Sequence, residues 1–408
     1  MGLKALTQQN PTGTVILRQR FMDKKLAKEV GNQLNCDIDQ LKRLQRAAID
    51  DLTQIIWEQE TAVRTQRIQD MQSQLYPADY RELFGIDAQA EALLTYLQQP
   101  DGPWLIALTG IGGIGKTALA DKVTRQLIEQ LLYEQIAWIK VESVTSAGLP
   151  TTPETIWNQI GQQLALQFAP DLGRGTLSQQ IGAVRQQLKR KPMLVIIDNL
   201  ETEESAAYLA DKLLDLSNPG KFLVTSRSRF PNTAAVLPVY LNEMEETAVY
   251  QFIKHLAAEK GIQDLIKADS QALAAIYRVT GGNPLALKVV VGLTQVMALP
   301  EILQDFEQVH ATEIEQMYRH IYWKAWHTLD EAAQTLLEIM PLASQKGMLP
   351  EQLQAASGLS GELFWPAVHT LVNRSLIDVT GTVWQKRYSA HQLLISFISS
   401  QLLRLPAR

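Results

Sequence analysis

Hydrophobic and polar positions change their period along the chain, and each change marks a different kind of element. From Asp37 to about Leu75, the apolar residues Leu41, Leu44, Ala48, Leu52, Ile55, Ile56, Ala62 and Val63 recur mostly three or four apart. That spacing predicts one long helix with a polar, Gln-rich opposite face, and such a stripe needs a partner. Asp37 with Gln40 reads as a variant capping box at its start, and Pro77 closes the segment. Upstream, residues 1–36 are weakly patterned, with Asn10-Pro11-Thr12-Gly13 read as a turn. Residues 26–44 hold two short helical stretches around Gly31 to Cys36, read as a helical hairpin with a loose likeness to a helix-turn-helix. After Pro77 the pattern becomes short unbroken apolar runs at 104–109, 136–141, 193–198, 221–226 and 236–240, most of them separated by helical periods. This alternation predicts a parallel sheet covered on both faces. Beyond Leu241 strands nearly vanish. Residues 243–340 read as successive helices, broken most sharply at Gly281-Gly282-Asn283-Pro284. Residues 341–408 read as two helices, a wing of two short strands around Thr380-Gly381-Thr382, and a last helix.

The 408 residues suggest two to four domains. The predicted division is a helical adaptor or effector-like domain at 1–76, an α/β phosphate-loop nucleotide-binding domain at 77–241, a small helical domain at 242–312 and a winged-helix domain at 313–408. A net charge of −5 gives no whole-protein attraction to DNA or anionic membrane. With Cys36 as the one cysteine, no intramolecular disulfide forms, and a reducing cytoplasm fits. The mostly apolar runs are far too short to span a bilayer.

The chemistry concentrates at "LTGIGGIGKTALA", where an apolar strand runs into G-x-x-x-x-G-K-[ST] and then a helix. Its glycines let backbone N–H groups wrap phosphates. The phosphate cradle is therefore assigned to Gly110, Gly112, Gly113, Ile114, Gly115, Lys116, Thr117 and Ala118. Lys116 is placed to reach the β- and γ-phosphates, and the Thr117 hydroxyl to ligate Mg²⁺. Downstream, "MLVIIDNLE" carries Asp198 to a strand end, where a carboxylate holds Mg²⁺ directly or through water. Glu201 is the nearby candidate for activating water, since Asn199 cannot take a proton. In "FLVTSRSR" a third strand ends on Arg227, a candidate γ-phosphate contact.

With these residues in order, the chain resembles STAND-class ATPases with an NB-ARC (AP-ATPase) module, in a compact form like that of bacterial regulators, over roughly residues 79–403. The resemblance implies further assignments. Phe84 and Gly85 stand at the adenine side, where Ile86 replaces the family's usual arginine. Pro284, in "GGNPLALKV", packs near the base in the ADP state. His391, in "RYSAHQLLISFI", touches the ADP β-phosphate, with Ala390 and Gln392 replacing the family's methionine and aspartate. The implied function is an ATP/ADP-dependent switch with weak ATPase activity, which self-assembles on activation and answers to a protein partner or sensor. A DNA-binding regulator and a fast remodelling ATPase are the competing readings. Salt-sensitive duplex binding identifies the first and rapid steady-state turnover the second.

Overall fold

The computed structural model describes residues 2–78, 80–141, 151–168, 175–200, 203–227, 230, 235–308, 322–323, 325–327, 329–343, 347–374, 376–390 and 392–402. The chain divides into two compact units, Met1–Ser73 and Gln74–Arg408.

In the first unit, α1 (Gly2–Gln9), α2 (Pro11–Leu17) and α3 (Ala27–Gln33) pack along α4 (Ile38–Ser73). Leu41, Ala48 and Ile55 of the anticipated stripe are buried against Leu6, Ile16, Leu17 and Val30. The Asp37 carboxylate accepts the Gln40 N–H at 2.7 Å, which is the N-cap half of the anticipated box. The turn read at Asn10-Pro11-Thr12-Gly13 is instead a helix start. Asn10 caps α2 through the Gly13 N–H, and Pro11 takes the first helical position, where its missing N–H costs nothing. Gly13 allows close approach, because a Cβ there would lie 2.7 Å from the Cβ of Ala48.

The second unit opens with α5 (Asp87–Gln98). A fully parallel sheet of β1 (Leu105–Thr109), β2 (Gln135–Lys140), β3 (Met193–Leu200), β4 (Lys221–Ser226) and β5 (Val236–Tyr240) follows, in the order β2-β3-β4-β1-β5. Helix α6 (Lys116–Gln130) packs against β3 and β4. Helices α7 (Pro153–Phe168), α8 (Leu177–Arg190) and α9 (Glu203–Leu216) cover the face that carries Ala107, Ile139, Val195, Ile197 and Val224. With cover on each side, the strands read as continuous apolar runs. Pro238 sits in β5, the edge strand, where one unpaired side needs no N–H.

A second core joins α10 (Glu246–Glu259), α11 (Gln263–Ile266), α12 (Ser270–Thr280), α13 (Pro284–Leu293) and α14 (Leu299–Gln308) with the C-terminal elements. Those are α15 (Glu331–Ile339), α16 (Pro350–Ser357), α17 (Gly361–Asn373), the antiparallel hairpin of β6 (Asp378–Gly381) and β7 (Lys386–Ser389), and α18 (Gln392–Phe397). Among the described residues no helix is long and apolar enough to cross a membrane.

At the end of the sheet opposite the strand tips, Lys221 is buried at the start of β4. Its Nζ donates to the Tyr96 carbonyl at 2.8 Å and to that of Gln99, so it caps the end of α5. Burial lowers this amine to about 8. The unfolded lysine still binds its proton between that value and about 10.5, so stability gains as pH rises through the window. Thermal unfolding from pH 8 to 10 is expected to show this gain in the parent protein and to lose it in Lys221→Met. At neutral pH that variant is expected to be less stable by about 1–3 kcal/mol, because two carbonyls lose their donor.

Candidate functional site

The tips of β1, β3 and β4 lie side by side, and the loop leaving β1 spans Gly110 to Gly115 before α6 begins. Gly115 is the N-cap of α6 at φ 101°, a left-handed conformation that side chains rarely adopt. Gly110 allows a close crossing of chains, since a Cβ there would sit 2.7 Å from the Leu241 carbonyl. Its N–H donates to the Ser226 carbonyl at 3.3 Å, tying the loop to the end of β4. Ile114 is buried, with a methyl facing Gly110. Lys116 folds its ammonium over the loop and donates to the carbonyls of Gly110 (2.8 Å) and Ile111 (2.9 Å).

Asp198 is fully buried on β3. Its Oδ1 accepts the hydroxyls of Thr117 (2.7 Å) and Thr225 (2.6 Å). Its Oδ2 is also enclosed and has no hydrogen-bond partner among the described residues. A buried carboxylate oxygen with both lone pairs open suits a cation or a cation-bound water. Among the described residues no cluster of three or more His, Cys, Asp or Glu forms a self-sufficient metal cage. The donor set here is one carboxylate and one hydroxyl beside a phosphate loop. This fits Mg²⁺, which keeps waters and takes phosphate oxygens as ligands.

Arg227 follows directly on β4, half-buried, with its backbone N–H bonded to the Leu200 carbonyl at 3.2 Å. It is thus one residue from the Ser226 carbonyl that holds Gly110. Glu201 and His391 lie outside the described residues. The Phe84 ring packs on α10, 5.5 Å from Phe252 and 5.2 Å from His255, and Gly85 abuts Ala248 of the same helix.

Pro284 occupies the first position of α13, and it is the residue before it that reaches the loop. Asn283 is buried. Its Oδ1 caps Leu285 and Ala286, and its Nδ2 donates to the Gly112 carbonyl at 3.0 Å. The Leu285 N–H also faces the Gly113 carbonyl at 3.4 Å. Met244 and Gly282 pair across the start of this helical region, N–H to carbonyl, at 3.0 Å. Sequence reasoning took Asn283 only as part of a chain break or a helix start, and gave Thr225 no role. The available signal for Asn283 was the Asn-Pro pair itself, which marks an N-cap and so an amide with a spare donor.

Residues 86–260 match the NB-ARC domain model. Disease resistance protein RGA4 of Oryza sativa subsp. japonica is 27% identical over 216 residues, covering 50% of this chain and 20% of that protein. Disease resistance RPP8-like protein 3 of Arabidopsis thaliana is 24% identical over 240 residues, covering 56% and 25% respectively. The chain spans about a quarter of the length of the curated relatives it matches. Among solved structures, the Signal Transduction ATPase with Numerous Domains (STAND) protein with a tetratricopeptide repeat sensor from Pyrococcus horikoshii superposes with a TM-score of 0.53. That match has 18% identity and covers 79% of this chain and 43% of that one.

Asn283→Asp separates the two jobs of that side chain, because a carboxylate still caps α13 but cannot donate to Gly112. The substituted protein is expected to stay folded while hydrogen exchange accelerates across residues 110–118 and the first turn of α13. Unchanged exchange in the loop would show that the contact does not restrain it.

Proposed function

We propose that this chain, which carries an NB-ARC P-loop ATPase domain over residues 86–260, is a nucleotide-dependent switch that holds ADP or ATP and turns ATP over slowly. The supporting observation is the Asn283 bridge. The helical region after the sheet is hydrogen-bonded to the carbonyl of Gly112 inside the phosphate loop itself. A change in what the loop holds therefore acts on a contact shared with another part of the fold, as a two-state device requires.

In this reading, Lys116 and the N–H groups of Gly112, Gly113, Ile114, Gly115, Thr117 and Ala118 receive the phosphates. Thr117 and Asp198 hold Mg²⁺, which neutralises charge on the phosphate oxygens when bound. Arg227 meets the γ-phosphate, and Glu201 is the candidate base for water. Phe84 and Gly85 line the adenine side and Pro284 packs near the base. His391 contacts the ADP β-phosphate and favours a closed form. The working division is a helical adaptor at 1–76, the nucleotide domain at 77–241, a helical domain at 242–312 and a winged helix at 313–408. The hairpin β6–β7 after three helices supports the last of these. Activation leads to self-assembly, with the trigger supplied by a protein partner or sensor.

The test is the nucleotide that accompanies the purified protein, measured with its size in solution. The parent protein is expected to retain ADP and run as a monomer, and Lys116→Ala to be empty. Losing a charge-assisted phosphate contact costs about 2–3 kcal/mol, or roughly 30- to 150-fold in affinity. His391→Ala is expected to assemble more readily with an ATP analogue. A parent protein that binds neither nucleotide, or that keeps one size and shape under every nucleotide, would refute the switch.

A further inference from the structure

The pairing of β3 with β4 is regular up to Ile197 opposite Val224, then resumes shifted at Leu200 opposite Ser226. Two residues of β3, Asp198 and Asn199, therefore share the space opposite Thr225. This is a β-bulge, and Asn199 takes a left-handed conformation within it, at φ 74°. The Asn199 N–H donates to the Thr225 hydroxyl oxygen at 2.9 Å, and the Asn199 amide faces the Val141 carbonyl at 3.4 Å on the other side.

A threonine hydroxyl has one proton and two lone pairs. At Thr225 the Asn199 N–H lies on the acceptor side, so the proton goes to Asp198, at 2.6 Å. The Thr117 hydroxyl donates to that same oxygen. With Oδ1 supplied by two donors, the carboxylate is fixed in rotation and its second oxygen keeps both lone pairs open in a buried site.

We propose that Thr225 is a positioning residue for Mg²⁺: through the bulge N–H of Asn199 it orients Asp198 so that Oδ2 faces the cation and its water shell. The proposal rests on the nucleotide reading above. It assigns Thr225, on the strand that leads to Arg227, the task of setting the Asp198 carboxylate, a task the phosphate-loop motif does not include. Thr117 then has one proton for Asp198 and its lone pairs for Mg²⁺, with no change of partner between the two.

The test compares binding of a non-hydrolysable ATP analogue in Mg²⁺ and in EDTA for the full chain. Thr225→Val conserves shape and removes the hydroxyl. It is expected to lower affinity in Mg²⁺ by about tenfold, the worth of one hydrogen bond to a charged group, and to leave affinity in EDTA unchanged. Thr225→Ser is expected to restore the Mg²⁺ increment. An unaltered increment in Thr225→Val, an equal loss with and without Mg²⁺, or no rescue by serine would overturn the proposal. If the valine variant does not fold, Thr225→Cys, with a weak thiol donor of similar size, carries the same criteria. A parent protein with no affinity for the analogue in either buffer would instead refute the nucleotide reading.

Discussion

A buried carboxylate is tolerated only where donors replace the water it has lost, and at Asp198 those donors determine how three elements meet. Thr117 comes from the first turn of α6, Thr225 from β4, and Asp198 itself from β3. The two hydroxyls therefore fasten the start of a helix and the ends of two strands to one oxygen atom. A charge-assisted hydrogen bond is worth about 1.5–3 kcal/mol, and leaving one such group unpaired costs more. The carboxylate thus acts as a keystone for the strand tips. Its remaining oxygen keeps capacity for a ligand.

The strand order explains why this keystone is available. In the order β2-β3-β4-β1-β5, β4 lies between the strand that launches the phosphate loop and the strand that carries Asp198. Three consecutive residues at its end thereby face different neighbours. Thr225 meets Asp198, the Ser226 carbonyl holds the Gly110 N–H, and the Arg227 N–H meets the Leu200 carbonyl. One strand terminus sets both the entry of the loop and the orientation of the acid.

Much of this was legible in the sequence because it rests on local patterns. The five strands come from short apolar runs that a doubly covered sheet must have. The phosphate loop comes from glycines needed where φ is positive, as at Gly115. Of the predicted stripe, Leu41, Ala48 and Ile55 form the buried face of α4 with α1 to α3 as its cover, while Leu44, Ile56 and Val63 are exposed. The residues that were missed act at long range. Thr225 lies 27 residues from Asp198, and Asn283 lies 171 from Gly112. No periodicity records which side chains a strand order or a helix docking brings together. At Asn10-Pro11 the failure was of another kind. An N-cap followed by proline has the same letters as a turn, and only the packing of the next seven residues onto α4 separates the two.

The Asn283 bridge differs in character from the Asp198 cluster, and the difference bears on switching. Its bond to Gly112 joins two neutral groups, worth about 0.5–1.5 kcal/mol net. The Leu285 N–H to Gly113 adds a longer one. A ligand shifts a two-state equilibrium only by its differential affinity for the two states. Contacts that must open and close are therefore best made of neutral bonds that a rearranged loop can replace. The sheet tips are held by charge and the helical region is held to the loop by neutral amides. In the proposed switch, that gradient of strength would let the loop change its partners on one side while the acid and its two hydroxyls stay fixed on the other.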